Sequence, residues 1–269
     1  MRTLLVIAVI MYTTSTLVAA TQIKKKLSPP SSVLLTAVAG IVFHSGAIAT
    51  RWIEVGRFPL ILQAEVLCFL GWCIAAYFIF SSILAHTHLL GYTLLLAIIP
   101  TSVAAALPSP AVTPAKFRPF EDTLLFPLHA TMIILAYAAF IITFLAGVLY
   151  IWQEYKLKKK RPASLKLPGL DTCDELSYRS MSIGFVALTL GIVSGFVWSR
   201  RHFGTYLHGD PIEILTLTIW LLYFFMIHYR ITAGWRGRRT AIIAVVGFVF
   251  VLFILFGLQY LGGFHVFSS

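Results

Sequence analysis

Residues 127–151 read PLHATMIILAYAAFIITFLAGVLYI, a run of 25 positions without a single Asp, Glu, Lys or Arg. About 20 consecutive apolar residues in a helix span the hydrocarbon layer of a bilayer, so this run predicts a membrane-spanning helix. Its one imidazole, His129, lies at the start. An ionisable side chain is costly in such a segment, which favours a functional role for this histidine.

The rest of the chain repeats this pattern. Of its 269 residues, 59% are hydrophobic and only 12% are charged, which is too little charge for a water-soluble domain. Eight apolar runs predict an all-α, polytopic membrane helix bundle of about eight transmembrane helices, with 1–269 as one membrane-embedded domain. The first run is similar to a secretory signal, but its length and the lysines after it favour a true span. The runs cover about 3–20, 32–50, 59–84, 88–107, 127–151, 178–198, 212–229 and 240–261.

Basic residues in the short loops indicate the orientation of this bundle. The net charge is +11, and 14 of the 21 lysines and arginines fall on one side of the predicted membrane. The positive-inside rule places that side in the cytosol, so we expect both termini outside. Because the charges are in loops between apolar runs, the expected partner is membrane lipid and not nucleic acid. The 14 residues are Lys24, Lys25, Lys26, Lys156, Lys158, Lys159, Lys160, Arg161, Lys166, Arg179, Arg230, Arg236, Arg238 and Arg239.

Two histidines fall at the predicted outer surface. His129 begins the fifth span, and His265 lies just beyond the eighth. Two neutral imidazoles on one side of a membrane can supply both axial ligands of a haem iron. The alternative is that each is an ordinary interfacial residue. Charge counting takes no account of histidine and still places the two on one side, so we favour the haem-ligand interpretation.

Two further histidines lie within predicted spans. His228 is near the inner end of the seventh span, where it either binds a ligand or simply reaches the interface. His44 is in the second span, and a haem site shared with His228 is one interpretation. At helical rise, however, His44 lies roughly 12 Å and His228 roughly 27 Å from the outer side, whereas two axial ligands of one iron need similar depths. A hydrogen bond across helices is the alternative for His44.

The predicted outer loop 199–213 carries the remaining candidates. Asp210, which a proline follows, predicts the start of a helix with Asp as the N-cap and Pro at the first helical position. That capping role fully accounts for Asp210. Phe203 and Tyr206 offer an apolar platform for a porphyrin face. Two other histidines of this loop are expected to be solvated: His202 and His208.

Two blocks in the C-terminal half resemble a known family. Residues 176–198, which contain LSYRSMSIGF and GIVSGFVW, and residues 228–239, HYRITAGWRGRR, resemble the cytochrome c assembly family. That family includes the CcsA, ResC and CcmC proteins and the HemX-like membrane proteins. The resemblance covers most of the chain from about residue 44 onward.

The resemblance implies a specific set of haem ligands. In the family, two histidines that flank a tryptophan-rich loop present haem at the outer face, and His129 and His265 match their positions. His228 matches the family's membrane-embedded haem ligand. A histidine in the span of His44 recurs in HemX-like members.

The chain differs from this family in the tryptophan-rich loop. Phe203, Leu207 and Gly209 stand where the family has tryptophans, whereas Tyr206 and Asp210 are retained. The degenerate loop favours haem binding over haem attachment. We therefore expect the chain not to be an enzyme on its own.

Two functions are consistent with the resemblance. The first is a haem-handling, multi-pass protein of the inner (cytoplasmic) membrane, which presents haem b at the outer face for attachment to apocytochrome c. A ResB- or CcsB-like membrane protein would be its partner. The second is a HemX-like accessory protein that regulates haem biosynthesis through the cytosolic loop 153–176 and has no ligase activity. A transporter unrelated to haem is disfavoured, because no span carries buried charge pairs or paired Gly/Pro breaks.

Overall fold

The structure, a computed structural model, describes residues 1–24, 31–85, 93–107, 124–160 and 169–254. Every regular element among these residues is a helix, as the apolar runs predict. The helices are α1 Arg2–Lys24, α2 Ser31–Val55, α3 Gln63–Ala85, α4 Thr93–Ala106, α5 Leu125–Lys158, α6 Leu170–Phe203, α7 Pro211–Thr232 and α8 Arg238–Leu252.

Among the described residues, six helices are long and apolar enough to cross a membrane, namely α1, α2, α3, α5, α6 and α7. This confirms a polytopic membrane helix bundle. The predicted fourth and eighth spans correspond to α4 and α8, whose described lengths are 14 and 15 residues. Parts of those two predicted spans, 88–92 and 255–261, lie outside the described residues. The orientation with both termini outside stays a prediction.

The loop before α7 is shorter than predicted. The expected loop 199–213 is reduced to 204–210, because α6 continues to Phe203 and α7 begins at Pro211. Hydropathy marks where a helix leaves the membrane, whereas the helix itself ends where its backbone is capped. Here Gly204 provides the cap, with a left-handed φ of 75° and its N–H bonded to the carbonyl oxygen of Arg200.

The predicted cytosolic connector 153–176 is also partly helical. Helix α5 continues to Lys158, and α6 begins at Leu170. The prediction was wrong at both ends for one reason: polar residues such as Gln, Glu and Lys end an apolar run but are good helix formers. The charged ends of α5 and α6 therefore extend their helices beyond the apolar segments.

The described helices form two compact units. The first contains α1–α4, and the second contains α5 up to Tyr155 together with α6, α7 and α8. In the first unit, α1 packs on α2 and α4, and α3 packs on the same two helices. Gly40 permits the close contact of α2 with α1, since a β-carbon there would lie 2.5 Å from the Tyr12 ring. The assignment of 1–269 to a single domain stays a prediction.

A buried ion-pair cluster fixes the segment between α2 and α3 in the first unit. Arg51 Nε donates to Glu65 Oε1 at 2.9 Å, and Arg57 Nη1 donates to Glu65 Oε2 at 3.0 Å. Glu65 also accepts the backbone N–H groups of Ile61 and Leu62 at 3.0 and 3.1 Å. The Glu65 side chain is 0% exposed, so these four donors replace the water that a buried carboxylate loses.

In the second unit, aromatic contacts join α5 to its neighbours. The Phe140 ring of α5 stacks on Tyr223 of α7 with centroids 3.9 Å apart, and Phe144 stacks on Phe248 of α8 at 4.1 Å. Helix α6 also approaches α5 closely, because a β-carbon at Gly184 would lie 2.6 Å from the Phe140 ring. This core holds the helix ends that carry His129 and the loop 204–210.

Candidate functional site

A pocket opens in the second unit between α5, α6, α7 and the loop 204–210. Its volume is about 640 Å³ when its open mouth is included, which falls in the range of roughly 300–1,000 Å³ typical of small-molecule sites. His129 is part of its wall, and we call it the His129 pocket. A few polar groups face an otherwise apolar interior, a combination that suits a flat apolar cofactor. Its apolar lining includes Ile133, Ile192, Phe196, Trp198, Ile212 and Leu217.

The half-buried imidazole of His129 has a fixed proton position. Its Nδ1 atom lies 2.7 Å from the carbonyl oxygen of Gly191 on α6. A carbonyl oxygen can only accept, so Nδ1 carries the proton and Nε2 carries the lone pair. Metal-binding histidines are commonly oriented in this way by a backbone carbonyl on the second ring nitrogen.

Two glycines of α6 make room for the first turns of α5. A β-carbon at Gly195 would lie 2.6 Å from His129 Nδ1, and one at Gly191 would lie 2.7 Å from Ile133 Cδ1. Any larger residue would push the two helices apart. The GIVSG sequence of α6 therefore determines where the His129 ring lies.

The predicted helix start at Asp210 is confirmed. Asp210 is the N-cap of α7 and accepts the N–H of Ile212, and it forms a capping box with Glu213. Pro211 occupies the first turn, as its position in the sequence predicted. Asp210 is 5% exposed and does not line the pocket, so its observed role is to begin the helix.

Glu213 ties the loop 204–210 to α7, a contact that sequence analysis missed. Its Oε2 atom accepts the backbone N–H groups of His208 at 2.8 Å and of Gly209 at 3.0 Å. The spacing D-x-x-E from Asp210 is the sequence signal of a capping box and could have revealed this fold-back.

His208 lines the same pocket as His129, whereas the sequence predicted a solvated loop residue. Its Nδ1 atom lies 3.3 Å from Glu213 Oε1, and its Nε2 atom lies 3.4 Å from Thr205 Oγ1. Its side chain is 19% exposed. The carboxylate orients the ring and raises its basicity, so a second imidazole borders the cavity.

The two expected platform residues differ in their positions. Tyr206 lines the pocket and is 58% exposed, with the Arg200 guanidinium 5.5 Å from its ring centroid. Phe203 borders the pocket indirectly, because its ring packs edge-on against Trp198 and against His208, both at 5.4 Å. Trp198 itself lines the pocket and was not singled out from sequence, since its place before the predicted loop gave no sign of its orientation.

His228 lies elsewhere, on the exposed side of α7 one turn before the helix ends at Thr232. Its ring stacks on Phe224 at 6.1 Å and contacts Tyr229 edge-on at 5.8 Å. Within the described part of the chain, neither ring nitrogen has a hydrogen-bond partner. An imidazole without a partner on an apolar helix is costly unless something binds it, which agrees with the functional interpretation.

His44 has the opposite surroundings in the first unit. Its side chain is 0% exposed. Tyr12 Oη lies 3.3 Å from its Nδ1 atom, and Cys68 Sγ lies 3.4 Å from its Nε2 atom. Both ring nitrogens therefore have protein partners on α1 and α3, as the cross-helix interpretation requires. A haem site shared by His44 and His228 stays a prediction.

The structure thus brings some of the predicted residues together. His129 and Tyr206 line one pocket, and Asp210 caps the helix that leads away from it. His228 is eighteen residues beyond Asp210, so a separate site is required. His265 lies outside the described residues.

A comparison with protein families assigns the chain to a class. The model of the cytochrome C assembly protein family matches residues 60–265, which include every helix from α3 to α8. The chain belongs to the cytochrome c assembly protein family.

Several relatives carry the name cytochrome c biogenesis protein CcsA. The protein of Guillardia theta is 32% identical over 238 residues, covering 81% of this chain and 79% of that protein. The protein of Chlamydomonas reinhardtii is 34% identical over 226 residues, covering 81% of this chain and 63% of the relative. The protein of Synechococcus sp. (strain CC9605) is 30% identical over 262 residues, covering 86% and 84%.

Proposed function

We propose that the chain is a haem-handling membrane protein of cytochrome c biogenesis. Its family and its CcsA-named relatives support this function. The observation that carries it is the bond from His129 Nδ1 to the Gly191 carbonyl oxygen at 2.7 Å. With the proton on Nδ1, the lone pair that an iron ligand needs is on Nε2, in the wall of a mainly apolar pocket.

The proposed cargo is haem b, with His129 and His265 as its axial ligands at the outer face. Tyr206 and Phe203 would pack near the porphyrin, and Asp210 would act through the shape of the loop that it caps. His228 would ligate a second haem within the membrane. For His44, the contacts with Tyr12 and Cys68 support packing inside the first unit more than ligation.

In this proposal the protein is in the inner membrane with the His129 pocket outside, as its loop charges indicate. A bound haem would supply two vinyl groups for attachment to apocytochrome c. Each thioether forms when a cysteine S–H adds across a vinyl double bond, so no further reactant is consumed. The chain's contribution is to hold and orient, and a ResB- or CcsB-like membrane partner would bring the apocytochrome. The HemX-like alternative has no support among the relatives described above.

Haem binding is tested by purification in detergent after expression with excess haem. We expect a Soret band that falls at least severalfold in His129→Ala and returns when imidazole is added to that variant. Leu128→Ala is the matched control, because Leu128 is exposed beside His129 and does not line the pocket. A preparation with no haem, or a band that His129→Ala and His228→Ala together leave unchanged, would contradict the proposal.

The role in biogenesis needs a test in cells. Deletion of the gene should abolish covalent haem staining of c-type cytochromes, and the wild-type gene should restore it. Unchanged staining together with altered haem synthesis would favour the HemX-like role instead.

A further inference from the structure

A ladder of aromatic rings follows α7 and continues into the α7–α8 turn, which we define as residues 233–237. It passes through His228 and ends on the guanidinium of Arg239. The ring-centroid distances are 5.5 Å for Trp220–Phe224, 6.1 Å for Phe224–His228, 5.8 Å for His228–Tyr229 and 4.7 Å for Tyr229–Trp235. Arg239 Cζ lies 5.6 Å from the Trp235 centroid. An imidazole and a cation thus occupy one continuous aromatic surface.

Two arginines at the end of the ladder have no acidic partner within the described residues, Arg236 and Arg239. Both are exposed. Their neighbours differ: Arg230 pairs with Asp174 at 2.8 Å, and Arg238 lies 3.8 Å from Glu154. The end of the ladder therefore carries a positive charge that the protein itself does not neutralise.

The α7–α8 turn is held in place by Asp174 on α6. Asp174 Oδ1 accepts the Gly237 N–H at 2.8 Å and the Thr240 hydroxyl at 3.2 Å, while Oδ2 accepts from Arg230. The Trp235 N–H donates to the Tyr229 carbonyl oxygen at 3.3 Å. Because these bonds fix the backbone, the two arginines are positioned without a ligand, and less entropy is lost when one binds.

We propose that Arg236 and Arg239 bind the propionate carboxylates of the haem whose iron His228 ligates. This inference rests on the proposed function of His228. Ionised carboxylates are costly in hydrocarbon, so a haem at His228 must direct them to the nearest polar surface. Along α7 that surface is only about 6 Å away, four residues at helical rise. Guanidinium groups match carboxylates in geometry and charge, and the ladder offers flat surfaces to the porphyrin.

The test compares two ligands in a His129→Ala background, in which the outer site is disabled. Haemin and haemin dimethyl ester, whose propionates carry no charge, are titrated into the purified protein and followed by Soret absorbance. We expect the double variant Arg236→Gln/Arg239→Gln to bind haemin at least tenfold more weakly and the ester with unchanged affinity. Arg238→Gln is the matched control in the same segment and should change haemin affinity less than twofold.

The outcomes separate this inference from the proposed function. If the double variant weakens haemin and ester equally, or weakens neither, the arginines do not bind propionates, although His228→Ala would still abolish binding of both ligands. If His228→Ala leaves haemin binding unchanged, the membrane site itself is wrong and the inference fails with it. Loss of retained anionic phospholipid without loss of haemin affinity would identify the arginines as a lipid headgroup site and would also overturn the inference.

Discussion

A β-carbon on residue 195 would lie 2.6 Å from Nδ1 of His129, so the imidazole packs directly against the backbone of Gly195. The same nitrogen bonds the Gly191 carbonyl oxygen one turn away on α6. The position and the tautomer of His129 are therefore both set by α6. Substitutions on α6 can test the site without changing the histidine.

We predict that Gly195→Ala lowers haem occupancy of the outer site at least tenfold. The added methyl group would displace the imidazole, whereas alanine is favoured over glycine inside a helix by about 1 kcal/mol, so loss of the fold is not expected. The measurement is Soret absorbance per protein together with the melting temperature. Gly46→Ala serves as control, since its β-carbon would meet nothing closer than 3.7 Å. Full haem occupancy in Gly195→Ala would refute the assigned geometry.

The helices and the haem-ligand candidates could be predicted from sequence because their signals are local. Apolar runs indicated the spans, and the Asp210–Pro211 pair indicated the start of α7. The lining role of His208 depends on Glu213 folding back over the loop, which hydropathy does not report. Likewise, the burial of Arg51 follows from its pairing with Glu65, fourteen residues away on another helix. Contacts between elements were thus the part that sequence could not supply.

Glu213→Ala should loosen the loop 204–210. The substitution removes the acceptor of the His208 and Gly209 N–H groups and half of the capping box, and the loss of a cap costs about 0.5–2 kcal/mol. We expect faster hydrogen exchange of these amides and little change in α8. The control is Asp171→Ala, an exposed carboxylate in the first turn of α6. Equal exchange rates in wild type and Glu213→Ala would show that the tie is not important.

Asp174→Ala should destabilise the second unit strongly. It leaves Arg230, whose side chain is 7% exposed, without its 2.8 Å partner, and breaking a buried ion pair costs about 3–5 kcal/mol. Thermal unfolding in detergent measures the effect. Glu175→Gln is the matched control, because its exposed pair with Arg179 contributes at most about 1 kcal/mol. Adding Arg230→Met to Asp174→Ala should recover part of the stability, and no recovery would argue against an uncompensated charge.

Cysteine labelling can test the predicted orientation. In intact cells, Thr205→Cys should react with a membrane-impermeant maleimide, and Arg236→Cys should react only after the membrane is opened. Both positions are exposed, whereas the native Cys68, Cys73 and Cys173 are buried and should give little background. The reverse pattern would invert the topology and place the His129 pocket in the cytosol.

Helix α6 has 34 residues and contains no proline. It is therefore about 51 Å long, well beyond the roughly 30 Å of the hydrocarbon layer. One end provides the carbonyl group that orients His129, and the other provides the carboxylate that holds the α7–α8 turn. The two ends act as one lever. A rotation of α6 about its axis that withdraws Gly191 from His129 also pulls Asp174 away from Gly237, so the two sites are mechanically coupled.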